Sequence, residues 1–527
     1  MSDSLHWHIL GGNNKHRIGA NSGLCVYDYA DEDGTPRRKT LLFDAGVLFG
    51  DSRYPEDPDL ADSDTVIPDL GKFLYKANEP GHKPDCPINS IFLTHNHSDH
   101  IGAIPLLILM GYQIPQIYAT PYTAKRLQQE LSNAGLSPDE WPEIYAIAPG
   151  KAINEGPVSV TAFWVSHSTP QSVGFFIETP EGNLLNPGDF KLDQSVVWGP
   201  AFNEDQFRRI VSKPVDLLLL DSTGADRDVT PVTEGDVRDT LRDLMAQYPD
   251  KRFVIAVMSG FEENLASVAM VAAEEGRTLW VAGNAHEQAL AALRDTGMSL
   301  SDHLKMDLDL RILGPGKAAK DLANGRPRDS IVVVTGAQGH YNAVLPRAAD
   351  DRHNALHLDP KTDIILFCAP SIPGQEATRE RLLATLRNKG YQILTRQEAP
   401  LYSQAHARLP EIIDFVKIVN PKNILPIHGS KEQRESCAEA MEKMGKKTVR
   451  SDNGDVVSVS RAGVASIDPA TKGCPPLIGF KTLQGATWHD RYYLTTSVPR
   501  QKPQDTSPKP ANNNKKRRPK IFDIGKK

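Results

Sequence analysis

Residues 94–105 read THNHSDHIGAIP, and the six positions from His95 to His100 hold three histidines and one aspartate. They follow the apolar run Ile91-Phe92-Leu93 and precede the helical pattern IGAIPLLILMG, so a strand hands them to a tight loop that leads into a helix. Neutral imidazole and carboxylate suit zinc, manganese or iron, and a catalytic centre keeps one position open for water. His95 and His97, two apart in an extended segment, can point the same way. Asp99 and His100, at the turn, can point to a second ion beside the first. With 16 histidines among 527 residues, this crowding is not that of an ordinary polar surface loop.

Two metals need more ligands than one loop contains. His167 in WVSHSTPQSVGF, Asp189 in LNPGDFKLD and His428 in ILPIHGS each follow an apolar run, where a strand would deliver a side chain to a sheet edge. Singly, each reads as a hydrogen-bonded surface residue. Together with the 95–100 loop they complete a ligand count without thiols.

Thiols are in any case few and scattered. Cys25, Cys86, Cys368, Cys437 and Cys474 form no C-x-x-C pair, which argues against a disulfide framework and a thiolate zinc site and fits a reducing cytoplasm. The start, MSDSLHWHILGG, lacks a basic segment followed by an apolar one, and no stretch approaches the roughly 20 apolar residues of a membrane span. A cytoplasmic protein without membrane contact is expected. The net charge of −6 is unevenly spread: residues 500–527 carry ten Lys/Arg against Asp505 and Asp523, leaving −14 for the rest. That tail, rich in Pro, Asn and Lys, reads as disordered, and KKRRPK (515–520) can attract nucleic acid or an acidic partner, or simply aid solubility.

Along the chain, β-rich runs such as KTLLFDAG, INSIFLTH, VSVTAFWVSH and VDLLLLD alternate with helical patterns. From about residue 230 the alternation becomes regular, with KRFVIAVMSG, TLWVAGNA and DSIVVVTGAQG separated by helices, which implies a parallel α/β domain inserted into the first. NPKNILPIHGS (420–430) then returns as a strand ending in histidine. The boundaries read as a first domain over 1–229, an insertion over 230–398, a return segment over 399–450, a short C-terminal region over 451–499 and the basic tail over 500–527.

LLFDAG (41–46), THNHSDH (94–100), VSH (165–167), PGD (187–189) and IHG (427–429) resemble, in order, the successive motifs of the metallo-β-lactamase fold. DSTGADRDVTPVTE (221–234), TGAQG (335–339), APSIPGQE (369–376) and the pair His406 and His428 resemble the β-CASP nucleases, and among them ribonuclease J. The resemblance runs from about Gly11 to Asp455. It implies an α/β protein, an αββα sandwich with an inserted parallel α/β β-CASP domain. It further implies two zinc ions, with manganese or magnesium as alternatives. His95, His97 and His167 would bind one, Asp99, His100 and His428 the other, and Asp189 would bridge them. Asp44 would orient a ligand, Asp221 would support the site, and His406 would stand near the scissile phosphate.

These roles imply in-line hydrolysis of phosphodiester bonds in single-stranded RNA, leaving 5′-phosphate products, by 5′-to-3′ exonuclease and also endonuclease action. A pocket for a terminal phosphate is expected around Ser259, Gly260, Ser403 and His406. The chain departs from ribonuclease J in having Gln404-Ala405-His406 in place of Ser-Gly-His, His340 after TGAQG in place of Glu, and Gln171 in place of Asp. About 70 residues follow Asp455, where the family usually has a fuller C-terminal domain; a homodimer is expected only if dimerisation does not depend on that domain. Two other readings stand beside this one: a β-CASP nuclease acting on DNA, and a nucleic-acid-binding protein with a silent metal site.

Overall fold

Leu5, Trp7 and Ile9 alternate with half-exposed neighbours along strand Ser4–Gly11, so one face of the strand is apolar and must be covered. The computed structural model describes residues 3–49, 64–77, 79, 81, 83, 84, 86–372, 374–463, 465–467, 477–482 and 492–495. The basic tail and Cys474 lie outside them. Ser4–Gly11 pairs antiparallel with Ser22–Ala30, which pairs with Pro36–Phe43. Ser90–Phe92, Gln116–Ala119 and Ile144–Ala146 then continue the sheet in parallel.

A second sheet runs in the order Lys447–Thr448, Asn423–Ile427, Leu217–Asp221, Asn183–Asn186, Val173–Glu178, Val158–Trp164, Ala152–Glu155. The apolar faces of the two sheets meet through Trp7, Phe43, Phe92, Phe175, Leu217 and Leu425. Helices Ala103–Leu109 and Pro121–Asn133 cover the outside of the first sheet, burying Ile104, Leu107, Leu127 and Leu131. Glu204–Ile210, Leu409–Val419 and Lys431–Lys443 cover the second with Phe207, Ile412, Phe415 and Met441. This is a four-layered αββα sandwich.

The insertion leaves from the end of Leu217–Asp221 and comes back as Asn423–Ile427, the parallel neighbour of that strand, with Asp221 opposite Ile427. Some two hundred residues can therefore depart and return without breaking the sheet. Within the insertion, six parallel strands run in the order Leu310–Ile312, Thr278–Ala282, Ser330–Val334, Arg252–Val257, Asp363–Cys368, Gln392–Leu394. Their near-continuous apolar runs are buried on both faces, as parallel strands flanked by helices require. Two features differ from the sequence reading. The pattern IGAIPLLILMG is broken at Gly102, giving the short helix Ser98–Ile101 before Ala103–Leu109. Residues 456–467, read as the start of a separate C-terminal region, instead add Val456–Val459 and Ala465–Ile467 to the first sheet, because Val457 and Val459 find apolar partners beside Leu5 and Trp7.

A buried polar network joins the insertion to the sandwich. The Lys191 ammonium lies 2.9 Å from the Ser403 hydroxyl, 3.2 Å from Asp193 and 3.5 Å from Glu234. Ser403 and Ser267 both donate to the Glu234 carboxylate, and the Glu234 N–H donates to Asp193 at 2.8 Å. Burial opposes the Lys191 charge, but Glu234 and Asp193 more than offset it and its pKa is raised. Next to this network, Glu263 accepts from the backbone of Val197 and Trp198, tying the helix Glu262–Glu274 to the sandwich.

Burial, reinforced by the Glu234 carboxylate, pushes the Glu263 pKa up to about 8. A carboxyl group that binds its proton more tightly when folded contributes stability that is complete below its unfolded pKa and is lost as pH rises through the folded value. The expected window runs from roughly pH 4.5 to 8. Across it the unfolding midpoint of Glu263→Gln should rise relative to the unsubstituted protein as pH increases. Parallel midpoint-versus-pH curves for the two proteins would rule this out.

Candidate metal centre

Six of the candidate side chains lie at or just beyond the C-terminal end of a strand. Asp44 follows Pro36–Phe43, His95 follows Ser90–Phe92, His167 follows Val158–Trp164, Asp189 follows Asn183–Asn186, Asp221 ends Leu217–Asp221 and His428 follows Asn423–Ile427. Both sheets therefore aim their strand ends at one place. Asp44 at φ 60° and His428 at φ 53° occupy the left-handed region, which costs energy for residues with a Cβ and is held by the packing around them. The 95–100 loop is threaded onto its neighbours through its carbonyls: Asp99 O accepts from Asn21 N–H, Ser98 O from Val47 N–H and His100 O from Ala45 N–H. Gly46 is required at this crossing, since a Cβ there would lie 1.6 Å from Asp99 O.

Two sets of potential ligand atoms result, each lying within 4.8 Å of one another: His95, His97, His167 with Asp189, and Asp99, His100, His428 with Asp189. Asp189, Asp221, His406 and His428 form a further set by the same measure. Hydrogen bonds on the far side of the rings set their orientation. His97 Nε2–H donates to Gly260 O at 2.8 Å, His167 Nδ1–H to Ala405 O at 2.8 Å and His100 Nδ1–H to Asp44 at 2.8 Å. That turns the other nitrogen of each ring inward. His97 Nδ1 and His167 Nε2 stand 3.2 Å apart, as do His100 Nε2 and His428 Nε2. Asp189 lies between the sets, its oxygens 3.2 Å from His428 Nε2, 3.3 Å from His100 Nε2, 3.6 Å from His95 Nε2 and 3.8 Å from His167 Nε2.

His95 Nε2 is buried without any hydrogen-bond partner, and Asp189 Oδ1 is buried with the His428 ring nitrogen 3.2 Å away. The charge balance points the same way. Burial works against a charged His100, yet Asp189, Asp44 and Asp99 outweigh it and raise its pKa to about 10. His428 is likewise raised well above the ordinary imidazole value by Asp189, Asp221 and Asp99, against burial. Burial and neighbouring imidazoles hold His95 and His167 well below it. The carboxylates draw in whatever positive charge is present, and divalent cations fit this donor set.

Around the cluster, His406 Nδ1–H donates to Asp221 at 2.8 Å, and the side chain remains 22% exposed. Ser259 is exposed at the end of strand Arg252–Val257, while Gly260 turns its carbonyl to His97. A Cβ at Gly260 would press within 3.2 Å of the His97 ring. Ser403, expected in a phosphate pocket, is buried with its hydroxyl engaged by Lys191 and Glu234, so it is spent inside the protein rather than offered to substrate. Gln404 is buried too and accepts from Val232 N–H. Gln171 accepts from Tyr122 N–H, and His340 is exposed.

Several residues that position the cluster escaped the sequence reading. Thr94 donates through both N–H and Oγ1 to Asp44, Thr223 Oγ1 lies 2.7 Å from His428 Nδ1, and Asn21 donates to Asp99 and lies 3.1 Å from His100 Nε2. Thr94 and Thr223 stood inside quoted motifs, so their position was a signal. Asn21, in a loop remote in sequence, carried none.

A buried cluster of imidazoles and carboxylates at the strand ends of an αββα sandwich, touched by a parallel α/β insertion, defines a metal-dependent hydrolase of the metallo-β-lactamase fold. Family models match in the corresponding order: a beta-lactamase superfamily domain over residues 64–247, a ribonuclease J beta-CASP domain over 250–386 and a Zn-dependent metallo-hydrolase RNA specificity domain over 402–451. The chain is 31% identical to ribonuclease J of Sinorhizobium meliloti over 459 residues, spanning 86% of this chain and 75% of that one. It is 28% identical to ribonuclease J of Thermus thermophilus (86% and 73% covered) and 27% identical to ribonuclease J 1 of Streptococcus pyogenes (80% and 70%). In fold it is similar to a solved Enterococcus faecalis protein of unknown function, with a TM-score of 0.60 at 16% identity over 86% of this chain and all of that one. The chain belongs to the ribonuclease J family and is a metal-dependent ribonuclease. Among the described residues no helix is long and apolar enough to cross a membrane.

Asp44 touches His100 and Thr94 but not the centre of the cluster, so its loss should loosen a ligand without deleting one. Asp44→Ala is expected to weaken metal binding by about 10- to 100-fold, read by chelator competition. Unchanged affinity would show that the His100 ring is oriented by its packing alone.

Proposed function

We propose that His95, His97 and His167 hold one zinc ion, that Asp99, His100 and His428 hold the other, and that Asp189 bridges them. On this reading the protein hydrolyses single-stranded RNA to 5′-phosphate products, chiefly from the 5′ end, with endonucleolytic capacity as well. The observation that carries it is the pairing of the two ligand sets around Asp189 with His406 alongside, braced by Asp221. Two divalent cations bound there would activate water near neutral pH and balance the charge that develops on the phosphate.

The chain's own residues supply the rest. Asp44 and Thr223 keep His100 and His428 turned inward. With Nδ1–H given to Asp221, His406 presents Nε2 outward, where an imidazolium can donate to the leaving 3′-oxygen or to a phosphate oxygen. The Gly260 carbonyl and the Phe261 ring, stacked 6.4 Å from His97, bring the insertion against the cluster, so a strand passing between the two domains meets the metals. Cleavage between phosphorus and the 3′-oxygen leaves a 5′-phosphate and a 3′-hydroxyl.

The test uses one RNA, body-labelled and bearing a 5′-monophosphate, 5′-triphosphate or 5′-hydroxyl, beside a matching single-stranded DNA, with and without chelator. Mononucleotides released fastest from the 5′-monophosphate RNA, and only with metal, are expected; internal fragments without end preference, or cleavage of DNA alone, would overturn the exonuclease assignment. His406→Ala should lower kcat by about 10²- to 10⁴-fold while leaving bound zinc unchanged by elemental analysis. Loss of zinc together with activity would instead make His406 a ligand.

A further inference from the structure

Two residues beyond His406, the chain carries a cation that the protein does not pair. Arg408 precedes helix Leu409–Val419 and its Nε is buried without a hydrogen-bond partner. Among the described residues its side chain makes no ion pair. Burial first, then the like charges of Arg227 and Arg396, lower its pKa to about 10. The acidic groups that face it are Asp226 and Glu411. Glu411 already accepts from Arg408 N–H at 2.9 Å and Leu192 N–H at 2.8 Å, and Asp226 lies 3.8 Å from Arg227.

The group is held in place. Leu409 N–H donates to Arg227 O at 3.3 Å, and Gly224 packs so close that a Cβ would lie 2.0 Å from Ala407 O, so the loop bearing Arg227 is seated on the 406–409 segment. Arg396 is laid over the Tyr402 ring at 4.8 Å and donates to Tyr402 O at 3.4 Å. Ala407 N–H donates to Phe190 O, next to Asp189, which fixes the segment relative to the metal centre. The positive end of the helix Leu409–Val419 adds to the same field.

We propose that Arg408, with Arg396 and Arg227, forms a subsite for a backbone phosphate of the RNA strand whose scissile phosphate lies at His406. This rests on the ribonuclease reading above. Arg408, without an ion pair among the described residues and with Arg227 and Arg396 as neighbours, favours an anion, and guanidinium matches phosphate in geometry as well as charge. The chain's own tail is no candidate occupant, since residues 500–527 carry a net +8.

Binding of fluorescein-labelled single-stranded RNA to the full chain, with chelator to prevent turnover, should be followed by anisotropy over a range of KCl concentrations. Loss of one phosphate contact in Arg408→Gln should reduce the slope of log Kd against log[KCl] by about 0.7. Arg408→Lys, which keeps the charge, should retain the slope. Arg396→Gln, on a separate segment, should reduce it in the same direction. With metal restored, Arg408→Gln should raise KM for RNA about tenfold. If both glutamine variants keep the wild-type slope and KM, the subsite is refuted. If the slope falls while the unsubstituted enzyme leaves RNA intact and cleaves DNA, the phosphate contact stands and the RNA reading fails.

Discussion

Asp189 is the constraint around which the rest is arranged. Its carboxylate is buried within 3.2–3.8 Å of five imidazoles, and a charge so deeply buried requires positive charge beside it. Its own pKa lies well below that of an ordinary carboxyl because His100, His428 and His406 outweigh the cost of burial. Every other feature of the centre serves this charge: rings turned inward by carbonyls and carboxylates behind them, and strained backbone at Asp44 and His428. A cluster built this way is costly without positive charge at its centre.

The insertion matters for the same reason. It is carried between two paired strands, so it adds a second wall to the centre without disturbing the sheet that positions Asp221 and His428. Its contacts with the centre run through backbone, from Gly260 O to His97 and from Glu263 N–H to Ser168 O. Side chains close the joint elsewhere, through Lys191, Glu234 and Ser403. Buried ionic joints of this kind contribute little net stability but tolerate few alternative geometries. For a centre walled by two domains, a single geometry is the useful property.

The relation to ribonuclease J is clear over most of the chain. Ser403 and Gln404 are both buried and bonded within the protein, and Arg408 follows them with an unpartnered Nε.

What could be read from the sequence was set by local chemistry. The 95–100 loop announced a metal site because imidazoles and a carboxylate at that spacing have few other uses, and apolar runs ending in His167, Asp189 and His428 announced strand ends. The parallel insertion was legible from its regular alternation. Tertiary structure alone decided which ring nitrogen faces inward, because that depends on carbonyls as distant as Gly260 and Ala405. It also decided that Ser403 turns away from the groove, that Asn21 reaches Asp99, and that Val456–Val459 returns to the first sheet. The physical reason is common to all of these. Side-chain chemistry is a property of one residue, whereas direction, partner and charge state belong to pairs brought together across hundreds of residues.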